Sequence, residues 1–204
     1  MKLYYAPAYC SQAVHIVLRE AGLPADLVQV DTVAGRTADG ADYRAINPRG
    51  YVPLLELDDG SRHTEVAALL QYVGDLAPAS GLMPPAGSRE RFEVLQWLTF
   101  VSSELHKSFS PWLFHKDTAD STRQAVREKL KQRFGDLQAR LHGREWLVGE
   151  RFTVADAYGF TILSWAPMVG MSLAAWPAVV AWLDRIRARP HVQAALRAEG
   201  LLKG

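Results

Sequence analysis

A chain of 204 residues with 23 basic and 22 acidic side chains and a net charge of +1 carries no broad field for nucleic acid or an anionic membrane. Its one cysteine excludes an internal disulfide and a cysteine-rich structural zinc site, which suits a reducing compartment. The first ten residues lack the apolar core of a signal peptide, and the longest apolar run, Phe152 to Val169, is broken by Asp156 and Pro167, so the expectation is a soluble, cytoplasmic protein without a membrane span.

Lys2 to Ala6 reads as an aromatic-rich strand ended by Pro7. Ser11 to Ala21 follows as a helix, with Val14, Val17 and Leu18 on one face and Gly22-Leu23-Pro24 as its stop. Asp26 to Val30 alternates like a second strand, and Ala34 to Tyr43 is a loop or weak helix. Asn47-Pro48-Arg49-Gly50 is turn chemistry, because proline presets φ and glycine tolerates positive φ. Val52 to Leu57 is a short strand with Pro53 at its start, where no ladder hydrogen bond can be donated. The Val52–Pro53 bond admits two readings. A trans edge proline needs no ligand; a cis bond turns the preceding N–H and C=O outward, where a peptide can pair with them. Asp58 to Ser61 is a hairpin turn, and a helix runs from Glu65 to Leu76.

The proline- and glycine-rich stretch 78–87 is a linker between a domain over 1–77 and an all-helical domain over 88–204. Ser88 caps a long helix through about Phe109, Ser121 starts another, and Thr153 opens a third that is apolar nearly all round and therefore buried. Pro177–Arg189 and His191–Ala198 complete the helical set.

Few residues carry possible chemistry. Cys10 sits between the first strand and the first helix, where backbone N–H groups and the helix dipole favour a thiolate. Position 13 is alanine, so Cys10 can form a mixed disulfide with a small thiol but cannot close an internal one. The plainer reading is an inert buried cysteine. His106 lies among Phe100, Val101, Leu105 and Phe109; a satisfied core histidine is the default, and a role follows only if its helix faces the Cys10 turn. Tyr4, Tyr5 and Tyr9 surround that turn as possible donors. Thr153-Val154-Ala155-Asp156 is a capping box that determines folding. No histidine pair has metal-ligand spacing, and no phosphate loop or nucleophile elbow appears.

In order and spacing, these pieces resemble the cytosolic glutathione transferases, and among them the bacterial beta class. The resemblance rests on Met-Lys-Leu-Tyr-Tyr at the start, Cys10-Ser11, Asn47-Pro48-Arg49-Gly50 with Val52-Pro53, Thr64-Glu65, Glu104-Leu105-His106-Lys107, the Thr153–Asp156 box and Ala-Glu-Gly-Leu near the end. It implies an α/β thioredoxin-like N-terminal domain, an all-α C-terminal domain and a two-fold homodimer. It further implies glutathione as co-substrate, with Val52 before a cis Pro53 pairing with its cysteinyl backbone. Glu65 would hold the γ-glutamyl amine, and N–H groups at Glu65 and Val66 the adjacent carboxylate. Arg36, Tyr51 and Lys107 complete the implied glutathione-binding set, and Cys10, His106, Tyr5 and Ser11 the implied catalytic set. Two positions depart from the family pattern: Val66 stands where many relatives carry Ser or Gly, and Gly35 where the class often has Lys. Arg36 is the implied substitute for that lysine. The partner would be a small hydrophobic electrophile, held near Trp112, Phe114, Trp165 and Met168. Rival readings on the same residues are a glutathione-dependent reductase, dehalogenase or isomerase, and a non-catalytic binder of hydrophobic compounds.

Overall fold

A computed structural model describes residues 1–202. They form two compact units, one made of residues 1–82 together with the described residues from 189 onward, the other of residues 83–188.

The first unit is built on strand β1 (Lys2–Tyr5), helix α1 (Ser11–Glu20) and strand β2 (Asp26–Asp31), with β2 parallel to β1. Strand β4 (Leu54–Glu56) runs antiparallel on the other side of β1 and pairs with β5 (Arg62–His63) before helix α3 (Val66–Leu76). Pro53 has no N–H to give, so the ladder opens only at Leu54 rather than at Val52. The region expected as loop or weak helix holds a two-residue strand β3 (Arg36–Thr37) and runs into one turn of helix α2 (Tyr43–Ile46), capped by Asp42 on the Arg44 N–H. The sheet order is β3-β2-β1-β4-β5, the thioredoxin-like arrangement. Period-two alternation divides β1 between two faces. Tyr4 and Ala6 pack with Val30, Tyr43, Val52 and Leu54 on one face, while the Tyr5 ring lies against His15 of α1 on the other.

The last helix, α9 (Pro190–Ala198), was expected with the helical domain but belongs to this first unit. Arg189 grips Glu20 at the end of α1 through two 2.7 Å hydrogen bonds. Glu199, just past α9, reaches His15 within α1 at 2.9 Å. Contacts across so much chain leave no trace in local pattern.

The second unit contains α4 (Arg89–Phe100), α5 (Lys107–Phe109), α6 (Asp120–Leu141), α7 (Val154–Leu163) and α8 (Pro177–Arg187), with no strand among the described residues. Ser88 caps α4 on the Arg91 N–H at 3.0 Å. The helix expected to run unbroken to Phe109 passes through a π-helical stretch, Val101–His106, between α4 and α5. The stripe on α6 buries Leu130, Phe134, Leu137 and Leu141, and α7 is buried along its whole length. Both halves of the Thr153–Asp156 capping box form. The Asp156 carboxylate does more than cap, since it also accepts from Leu147 N–H and Trp182 Nε1, both at 2.9 Å. A Cβ at Gly159 would stand 2.8 Å from the Trp182 ring, so α7 and α8 approach this closely only because that side chain is absent. No described helix is long and apolar enough to cross a membrane.

Candidate active site

The turn between β1 and α1 is folded around one hydroxyl. Ser11 Oγ accepts from Ala6 N–H and donates to Ala6 C=O, both at 3.2 Å, and is fully buried. That places Cys10 at the N-cap of α1, and its Sγ donates to the Val52 carbonyl at 3.4 Å. Helix α1 favours the anionic sulfur at this position, whereas the bond to Val52 is one only the protonated thiol can make. A carboxylate brackets the turn. Glu199 Oε2 accepts from Ala8 N–H at 3.3 Å and from Gln12 Nε2 at 3.1 Å, two residues before and two after the cysteine. Ala8 holds φ +64°, a region that disfavours a side chain. His15 Nε2 accepts from Arg19 at 2.8 Å, so the ring proton sits on Nδ1 and donates to Glu199 Oε1.

Facing Cys10 is the strand end that begins at Val52. The Val52–Pro53 bond is cis. The turn before it is set by Asn47, whose Oδ1 takes the Arg49 N–H while its Nδ2 donates to the Tyr51 carbonyl at 2.7 Å. Tyr43 Oη donates to that same carbonyl at 2.9 Å, so Tyr51 C=O is occupied. The Tyr51 hydroxyl instead bridges Arg49, at 3.1 Å, and Glu65, at 2.9 Å. Glu65 adopts φ +72° just before α3, and no side chain caps that helix among the described residues. The Ala68 and Leu69 N–H groups bond to Glu65 C=O, which leaves those of Val66 and Ala67 without an intrahelical acceptor, the kind of helix start that favours an anion. Val66 itself is buried.

Ser11, Tyr5 and Arg36, expected at the site, each have other contacts. The Ser11 hydroxyl is engaged with Ala6 on both its donor and acceptor sides. Tyr5 projects to the sheet face opposite Val52; burial, reinforced by the charge of Glu199, raises its hydroxyl pKa. Arg36 Nη1 donates to Gly40 C=O at 2.8 Å and is spent on its own loop. A Cβ on Gly35 would come within 3.4 Å of Arg44 Nε, so Arg44 is a further cation beside this glycine. That residue was missed.

In the second unit, His106 closes the π-helical stretch. Its Nδ1 lies 2.7 Å from Tyr158 Oη, and its ring meets Trp165 edge-on at 5.1 Å. Burial, with a smaller push from Lys107, lowers its pKa to about 4, so the ring is neutral near pH 7. Lys107 is exposed. Of the four aromatic and methionine candidates, Trp112, Phe114 and Met168 are exposed, but Trp165 is core, packed among His106, Phe109 and Phe114.

Comparison with known proteins agrees along the chain. Residues 9–76 match the family model of the glutathione S-transferase N-terminal domain and residues 92–190 that of the C-terminal domain. The glutathione S-transferase GstA of Escherichia coli O157:H7 is 44% identical over 201 residues, covering 98% of this chain and all of the relative. The disulfide-bond oxidoreductase YfcG of Escherichia coli K12 is 30% identical, covering 97% of this chain and 95% of the relative. Among solved structures, a sphingomonad glutathione S-transferase complexed with glutathione superposes with TM-score 0.94 at 44% identity, covering 99% of this chain and all of that one. A bacterial beta class enzyme from Sphingomonas chungbukensis gives TM-score 0.94 at 41% identity, with the same coverage.

Proposed function

The chain belongs to the glutathione S-transferase family, in its bacterial beta class, and we propose that it binds glutathione along the Val52 strand end with Cys10 beside the bound peptide. The observation that carries this reading is the 3.4 Å approach of Cys10 Sγ to the Val52 carbonyl, next to the uncapped start of α3. An S–H is a weak donor, so a ligand N–H replaces it at Val52 with a gain. Glu65, reached by the Tyr51 hydroxyl, takes the γ-glutamyl amine, and the N–H groups at Val66 and Ala67 take the neighbouring carboxylate. Tyr51 positions Glu65. Arg44, beside Gly35, is the cation for the glycyl end. His106, neutral near pH 7, supplies a hydrogen bond to the glutathione sulfur, which raises the thiolate fraction available to attack a hydrophobic electrophile.

Calorimetric titration with glutathione, together with turnover of an aryl halide electrophile, tests the reading. One site per chain, weakened at least tenfold by Glu65→Ala, is expected from the loss of a charge-assisted hydrogen bond of about 1.5–3 kcal/mol. Unchanged affinity in that variant overturns it. Binding without turnover identifies a non-catalytic binder.

The thiol–disulfide reading is favoured by the same Cys10 geometry. The Cys10 thiolate attacks oxidised glutathione, forms the Cys10–glutathione disulfide and expels one glutathione thiolate; a second glutathione reverses the step. A homodimer in the cytoplasm completes the proposal. Tyr72 and Leu76, one turn apart on α3, and Phe92 on α4 are exposed apolar side chains that subunit contact would cover. Sedimentation at micromolar concentration should give a species of twice the monomer mass.

A further inference from the structure

Neutral imidazole has one N–H and one bare nitrogen, and its usefulness to an anionic sulfur depends on which nitrogen holds the proton. At His106 that choice is made by a partner on another helix. Tyr158 Oη, on the fully buried α7, lies 2.7 Å from Nδ1, and the two rings stand at 89° to one another. Between a phenol and a neutral imidazole the direction of the hydrogen bond is set by acidity. The phenol is the stronger acid, at about 10, and the imidazole nitrogen the stronger base, with a conjugate acid near about 6.5. The hydroxyl therefore donates and Nδ1 accepts, which leaves the ring proton on Nε2.

Nε2 itself has no hydrogen-bond partner among the described residues, yet no buried side-chain nitrogen or oxygen among them is left unsatisfied. Nε2 therefore reaches accessible space. The ring cannot turn freely to present Nδ1 instead, because Trp165 abuts it edge-on at 5.1 Å. His15 in the first unit shows the opposite choice, since there Arg19 donates to Nε2 and the proton sits on Nδ1.

We propose that Tyr158 is a positioning residue that locks His106 as the Nε2–H tautomer, so that the histidine presents a donor, and not a bare nitrogen, to an anionic sulfur. Without the hydroxyl, the tautomers mix and a fraction of the enzyme turns a lone pair toward the thiolate. This inference rests on the role given to His106 above.

Nitrogen NMR of histidine-labelled enzyme at neutral pH reads the tautomer without any substitution. The expected result is an unprotonated Nδ1 and a protonated Nε2; a protonated Nδ1 overturns the proposal. Tyr158→Phe should then give mixed tautomers and lower kcat for conjugation about tenfold, the effect of one lost hydrogen bond, with KM for glutathione unchanged. The same substitution made in a His106→Ala background should have no further effect on kcat. An equal loss in both backgrounds means that Tyr158 acts by another route and overturns the proposal. If His106→Ala leaves kcat at the wild-type level while the tautomer is locked as described, the catalytic role of His106 fails, and the functional half of this inference fails with it.

Discussion

Asp156 and Glu199 are both carboxylates withdrawn from water, one in each unit, and each accepts hydrogen bonds on both oxygens. Asp156 takes Leu147 N–H and Trp182 Nε1 on Oδ1, and Thr153 N–H and Oγ1 on Oδ2. Glu199 takes His15 Nδ1 on Oε1, and Ala8 N–H and Gln12 Nε2 on Oε2. The difference is reach. The donors of Asp156 lie within 26 residues of it, those of Glu199 between 184 and 191 residues away. Asp156 therefore starts a helix and ties it to its neighbour, whereas Glu199 ties the end of the chain to the turn that carries Cys10. A buried carboxylate is costly unless its donors are in place, so each marks a place where the fold must be correct. Only Glu199 also braces the turn that carries Cys10.

The comparison breaks if the two respond alike. Asp156→Ala strands Trp182 Nε1 and two backbone N–H groups in the core, at about 1–3 kcal/mol each. Urea unfolding should show a loss of about 3–5 kcal/mol, and a loss below about 1 kcal/mol would mean that water or relaxation satisfies those donors. A third titratable group, the half-buried His106, sharpens the contrast because it has one partner rather than three or four. Its folded pKa of about 4 lies below the ordinary value of 6.5. Below pH 6.5 the unfolded chain binds the proton first, so stability should fall between pH 6.5 and 4, by no more than about 3 kcal/mol. His106→Ala should flatten that part of the profile; an unchanged slope places the titration elsewhere.

Glu199→Gln turns one acceptor into a donor facing other donors and should cost about 2 kcal/mol. Unlike a change at Asp156, it should also alter the alkylation rate of Cys10 in the folded enzyme. An unaltered rate would reduce Glu199 to a structural tie. The smallest effect on stability belongs to Cys10→Ala, about 1 kcal/mol for one buried sulfur. Mass spectrometry after oxidised glutathione should nevertheless show the adduct vanish, with conjugation falling less because the bound tripeptide brings its own thiol. Persistence of an adduct in that variant would exclude Cys10 as its site.

What could be read beforehand follows the same division of reach. The capping box, the Asn47–Gly50 turn and the Ser88 cap are determined within a few residues, and all three formed as their sequences indicated. Cys10 was expected at a helix start for the same reason, and its proximity to Val52 follows from β1 and β4 being neighbours. Pattern could not reveal that Ser11 spends its hydroxyl on Ala6, because a buried serine and a catalytic one have the same spacing. Nor could pattern assign Tyr5 to the face of α1 and His15, since one residue along a strand reverses the direction of a side chain. The π-helical stretch before Lys107, the Tyr158–His106 pair and the docking of Glu199 depend on packing between segments far apart in the chain.

That α9 and Glu199 belong with the first unit has a consequence for biosynthesis. A ribosome making this chain releases Cys10 and its turn long before Glu199, with the whole second unit synthesised in between. The sheet can assemble early, but Ala8 and Gln12 have no carboxylate to hold them until Glu199 has emerged. The turn that carries Cys10 thus gains this restraint only after the second unit has been made, and a product that stops at residue 188 would present it without Glu199.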